Sequence, residues 1–176
     1  MVPPMRAIRL ALPVLMLLAL PAWGGPVRCS DDGEGGACVW GRAEAFDSGR
    51  IQLRGLSLQL MGVAVPAHKE LCQAKGGQDI FDCARPARKR MAEWLAKGVA
   101  CDIIEVAGDR LLGRCRVAAG DLGRLLVAEG LARAAKDGPF DADQAAALAA
   151  RKGLWSGDVA LPRDWETARK KGDKGE

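Results

Sequence analysis

The sequence predicts a mixed α+β domain, mainly β, held together by disulfides. Three observations lead there. Runs of strand character fill the chain from Gly41 to Val63, and a helix, two more strands and two more helices follow. Six cysteines stand behind an apolar N-terminal segment. The chain is 176 residues long and 49% apolar, which suits one globular domain with its own core. A five-stranded barrel with about three appended helices fits this order of elements. Periodicity alone leaves other α+β arrangements open.

Residues 1–24 read as a secretory signal. "MVPPMRAIR" is basic without acids, "LALPVLMLLAL" is an apolar core too short to span a bilayer well, and "PAWGG" offers Ala22 and Gly24 around a cleavage point. A membrane anchor is the rival reading. No later segment is apolar enough to cross a membrane, and a periplasmic or secreted protein is expected. Arg6 and Arg9 lie in the signal and carry part of the formal net charge of +4. The remainder is too small to argue for nucleic-acid binding by itself.

Residues 25–40 form a Gly- and Asp-rich extension that Cys29 and Cys38 can staple. "GRAEAF", "RIQLRG" and "LSLQLMGV" are expected as strands, with turns at "DSG" and around Gly55. "RIQLRG" alternates polar and apolar residues, as a half-buried strand does. An irregular stretch is expected from Ala64 to Asp82, pinned by Cys72 and Cys83. "ARPARKRMAEWLAKG" reads as a helix with Pro86 in its first turn and Gly98 at its end. Ala87, Met91, Trp94 and Leu95 share one face of it; Arg85, Arg88 and Lys89 share another. "VACDIIEVAG" and "LLGRCRVAAG" read as strands joined at "DR". "DLGRLLVAEGLARAA" reads as a helix started by Asp121, and "DADQAAALAARKG" as one ended by Gly153. The tail, residues 166–176, is charged and expected to be disordered.

An even number of cysteines in an exported chain reads as disulfides. Sequential pairing is favoured: Cys29 with Cys38, Cys72 with Cys83, Cys101 with Cys115. Zinc is the weaker reading, because the chain has no C-x-x-C pair and His68 is its only imidazole.

From about Gly41 to Trp165 the sequence resembles the staphylococcal nuclease-like, or thermonuclease-like, family. "LLGRCRV" is similar to the family's Tyr-Gly-Arg strand, "DLGRLLVAEGLARAA" to its helix ending in Gly-Leu-Ala, and "AAALAARKGLWSGDVALPRDW" to its closing helix, Gly-Leu-Trp and Pro-x-x-Trp segments. The pairs Cys72/Cys83 and Cys101/Cys115 resemble those of exported bacterial members. The resemblance implies an OB-fold barrel carrying helices, spanning residues 41–165. Active members cut DNA and RNA with calcium, which needs carboxylate ligands, a general-base carboxylate and arginines against the phosphoryl charge.

Most of that set is replaced here. Where the family reads Asp-Gly-Asp-Thr, this chain reads "DSGR": Asp47 matches the first acid, Gly49 replaces the second and Arg50 the threonine. Gln59 replaces an arginine, Ala64 a ligand aspartate, Ala67 the general-base glutamate and Leu112 the tyrosine, while Pro66, Gly113 and Arg114 are kept. The resemblance therefore implies a degenerate site in which Arg114 and Asp47 are vestigial, with no cofactor.

The surviving groups each carry two readings. Arg114 grips an anion or pairs with a surface acid. Arg50 neutralises Asp47 or is solvated. His68 and Glu70 form an acid–base pair or simply lie in a loop. "RPARKR", with Arg85, Arg88 and Lys89, binds polyanions or is the wet face of a helix; no aromatic ring sits among its charges. The barrel face around Arg50, Arg54 and Arg114 is the second candidate surface. Trp94, Trp155 and Trp165 read as packing residues. The expected function is an exported pseudoenzyme that binds nucleic acid, another polyanion or an envelope protein. A calcium-dependent phosphodiesterase with a rearranged site is the first alternative, and a structural partner in an envelope assembly the second.

Overall fold

A computed structural model describes residues 29, 37–46, 49–67, 70–77, 79–136, 138–163 and 165–166. The signal, most of the extension, Asp47, His68 and all but the first residue of the tail lie outside the described residues.

The chain folds as α+β, mainly strands. Strands β1 (Cys38–Gly41), β2 (Ala43–Ala45), β3 (Arg50–Leu53) and β4 (Leu56–Leu60) come first. The first of them starts inside the stretch read as an extension. Short strands β5 (Val63–Ala64), β6 (Leu71–Ala74) and β7 (Ile80–Asp82) lead to helix α1 (Arg85–Leu95). Then come β8 (Val99–Ala107), β9 (Arg110–Val117), β10 (Gly120–Asp121) and α2 (Leu122–Ala128). The chain closes with β11 (Arg133–Ala134), α3 (Asp141–Ala149), a 3-10 turn at Gly153–Ser156 and β12 (Val159–Ala160).

The main sheet runs β1-β8-β9-β4-β3-β2, with β4 and β9 parallel and β10 on β9. Its two edge strands, β1 and β2, are consecutive in the chain and separated only by Arg42. Such a sheet must curl toward itself, and it forms a half-barrel. Alternation fixes its faces: Ile51, Leu53, Leu58, Leu60, Cys101, Cys115 and Val117 point inward and are buried. Helix α1 lays Ala87, Met91 and Leu95 into this core, as their spacing requires. Gly98, at φ +95°, ends that helical segment.

A second core forms where the C-terminal segment crosses back. Cys72, Cys83, Ala147, Leu154, Trp155, Leu161 and Trp165 pack there, with the two indoles 5.2 Å apart. Here the structure corrects three expectations. The stretch 64–82 is not irregular: β6 and β7 pair as a hairpin beside β12. The helix begun at Asp121 stops at Ala128. Gly130 turns the chain at φ +70° because any β-carbon there would collide with the Lys152 carbonyl. Residues Arg133 and Ala134 then pair with Val63 and Ala64. The last helix ends at Ala149, before Arg151 at φ 50°, and Gly153 instead opens the 3-10 turn.

Disulfides join Cys29 to Cys38, Cys72 to Cys83 and Cys101 to Cys115, as sequential pairing predicts. Three such bridges fit a non-reducing compartment. Among the described residues, no helix is long and apolar enough to cross a membrane.

Candidate functional site

The segments singled out in the sequence do converge on the outer face of the main sheet. Arg50, Gln59 and Leu112 are register neighbours on β3, β4 and β9. Gly113 follows, and its carbonyl accepts from Met61 N–H at 2.9 Å. Gly113 serves packing: a β-carbon there would lie 2.9 Å from the Asp102 carbonyl oxygen. Ala64 lies across from Arg133, a half-buried residue whose guanidinium lies over Trp165 at 5.2 Å.

The loop between these strands is closely filled. Gly49 is buried at φ +76°, and an added β-carbon would meet Val65 Cγ2 at 3.0 Å and Gln59 Nε2 at 3.3 Å. Val65 in turn packs against the barrel core. Gly49, Ala64 and Ala67 offer no side-chain oxygen, and a side chain at Gly49 would have to push Val65 and Gln59 aside. These residues do not fit the calcium that the resemblance implies. Among the described residues, no three His, Cys, Asp or Glu side chains gather as a metal site needs.

Glu70 is engaged locally. Its carboxylate accepts from Ala67 N–H at 2.8 Å, and its own N–H donates to the Ala67 carbonyl at 3.1 Å. This reciprocal pair ties Glu70 to Ala67 and gives Glu70 a structural task.

The cations separate into two groups. On α1, Arg88 pairs with Asp82 at 2.9 Å, and Asp82 also receives Ala84 N–H. Arg90 is bound by Glu129 and Glu93 at 2.9 and 2.7 Å and lies over Trp94 at 4.6 Å. Hydrogen bonds that Arg90 donates to Glu129 and Glu93 raise its pKa further above the usual range. Only Arg85, over Phe81 at 5.9 Å, and Lys89 remain without an acid on that helix among the described residues.

The outer sheet face differs. Arg114 is exposed, and its register partner Asp102 is taken by Arg116 at 2.6 Å. Arg114 has no side-chain partner among the described residues. Arg50 lies over Phe46 at 5.1 Å and Arg54 over Trp40 at 5.2 Å. Both rings are well exposed, at 47% and 39%. No protein-family model and no curated protein matches this chain.

The sequence did not single out Trp40 and Phe46. The signal was present, since Trp40, Arg42, Glu44 and Phe46 alternate with the inward Val39, Ala43 and Ala45. It was obscured because the aromatic and basic residues belong to different strands.

Proposed function

We propose that this protein is a non-catalytic, nuclease-like binding domain whose outer sheet face takes single-stranded nucleic acid or a similar polyanion. Its fold, in this reading, is the five-stranded OB barrel. Strands β1 and β2 then count as one bent strand that pairs with β8 on one side and β3 on the other. The N-terminal segment serves export, and the disulfides form in the periplasm or outside the cell.

One observation carries the binding reading: two exposed rings, each paired with an arginine, share a face with an exposed Arg114 that has no acid partner among the described residues. Stacking surfaces beside cationic groups are what a flexible polyanion with planar bases requires. The loss of catalysis is supported by Gly49, Ala64 and Ala67 in place of ligands and base, and by the Val65 wall at Gly49. An isolated arginine makes no nucleophile.

The test is a binding and cleavage experiment in one tube. Oxidised protein is titrated into labelled oligothymidylate with calcium present. Salt-sensitive binding with intact oligonucleotide is expected, weakened in Arg114→Ala. Cleavage that needs calcium and vanishes in Arg114→Ala would replace this reading with a rearranged nuclease. Absence of binding at low salt would remove the polyanion reading.

A further inference from the structure

We infer a phosphomonoester site on the outer sheet face, between Arg42 and Arg54; it deepens the polyanion-binding reading and rests on it. Ala43 and Leu53 are Cα partners, so Arg42 and Arg54 stand opposite each other at the next step, both exposed. With Glu44, Gln52 and Gly55 they line an open pocket of about 330 Å³. Like charges set across neighbouring strands repel. Neither guanidinium has a carboxylate partner among the described residues, and Glu44 lines the pocket without pairing to either. The protein therefore keeps an unrelieved cationic pair at one spot.

The backbone gives a second, independent indication. β3 turns into β4 through Arg54 and Gly55, at φ 52° and 81°. Two-residue turns of this hand favour Asn or Gly first, because a larger side chain is strained there. Arg54 occupies the strained place and returns its side chain over Trp40 at 5.2 Å. Gly41 makes room for it, since a β-carbon there would lie 3.3 Å from Arg54 Nε. A residue held against its backbone preference by its surroundings points to a task beyond folding. The task here is to keep the guanidinium beside the indole and close to Arg42.

The ligand follows from the charges. Guanidinium forks match the oxygens of a phosphate group. An internal phosphodiester brings one negative charge, whereas a terminal monoester brings close to two at neutral pH and matches two cations. The site thus takes the terminal phosphate of a single strand.

The test is calorimetric titration of the oxidised protein with pentathymidylates carrying a 5′-phosphate, a 3′-phosphate or neither, and with inorganic phosphate. One terminal phosphate should raise affinity about tenfold or more, the effect of one charge-assisted contact. Arg42→Ala and Arg54→Gly should each abolish that difference, and Glu44→Gln should widen it. Arg54→Gly relieves the turn, so its Tm should hold or rise while the preference disappears. Equal affinity of the wild type for all three oligonucleotides overturns this inference and leaves the polyanion reading standing. If no oligonucleotide binds, the polyanion reading fails and inorganic phosphate decides the site: uptake that disappears in Arg54→Gly keeps it, and no uptake removes it.

Discussion

Helix α1 and the outer sheet face are both rich in arginine, and they use it differently. The helix carries the densest basic run of the chain, "RPARKR", yet Arg88 and Arg90 are held by Asp82, Glu93 and Glu129. Those acids come from β7, from the helix itself and from the end of α2. On the sheet the arginines are scattered along the sequence but gather on one face, with rings beneath two of them and no acid on Arg114 among the described residues. A charge run in sequence measures how many cations lie nearby. Only tertiary placement of acids decides how many remain open to a ligand.

The largest expected effect tests that contrast directly. Replacing Arg50, Arg54 and Arg114 together by Ala should weaken oligonucleotide binding about 100-fold, at roughly 1 kcal/mol for each guanidinium removed. Replacing Arg85, Arg88 and Lys89 together should weaken it by less than about threefold, because Arg88 is already held by Asp82 and the helix that carries Arg85 and Lys89 covers the inner face of the sheet, away from the outer one. A fluorescence titration of both variants beside the wild type reads the difference.

The next effect concerns stability on the sheet face. Gly49→Asp should cost about 2 kcal/mol, because an aspartate must adopt a left-handed backbone and push Val65 aside. Calcium should give no recovery in Tm, since ligand rescue requires a site that binds the native state. Thermal melts with and without calcium check both statements; a calcium-specific rise would show that a metal site lies within reach of one substitution.

Smaller effects should reverse the roles of the two regions. Arg88→Ala should cost about 1 kcal/mol, because it leaves Asp82, 22% exposed, with one partner fewer. Arg114→Ala should change stability by less than about 0.5 kcal/mol, because the side chain is exposed and has no partner among the described residues. Urea unfolding of the two variants measures this. The smallest expected change is a gain: Asp82→Asn should release Arg88 and raise heparin affinity about twofold, the scale of a surface charge pair.

These contrasts also explain what the sequence could and could not disclose. The packing motifs were legible because they are local and rigid. Gly130 and Gly153 lie against each other's backbone: a β-carbon on Gly153 would come within 2.5 Å of the Glu129 carbonyl oxygen, and Leu154 N–H donates to Gly130. Gly-Leu-Ala and Gly-Leu-Trp are therefore readable as strings. The pairings of Cys101 with Cys115 and Cys72 with Cys83 were legible because each bridge ties neighbouring strands or a hairpin to its end. The early end of α2 was not legible, since "LARAA" is a good helix string and only pairing with β5 draws Arg133 into a strand. The Val65 wall at Gly49 and the Arg42–Arg54 pairing were also hidden. Both depend on register between separate segments, which no local pattern encodes.

The central claim is that the sheet face, and not the basic helix, meets the polyanion. The most direct test is the salt dependence of oligothymidylate binding, plotted as log affinity against log salt concentration. Each phosphate neutralised on a single strand contributes a slope of about −0.7. The wild type should show a slope near −2, for about three phosphates neutralised. The variant lacking Arg50, Arg54 and Arg114 should fall toward zero, while the variant lacking Arg85, Arg88 and Lys89 keeps the wild-type slope. A sheet variant with the full slope beside a helix variant whose slope has collapsed would contradict the account.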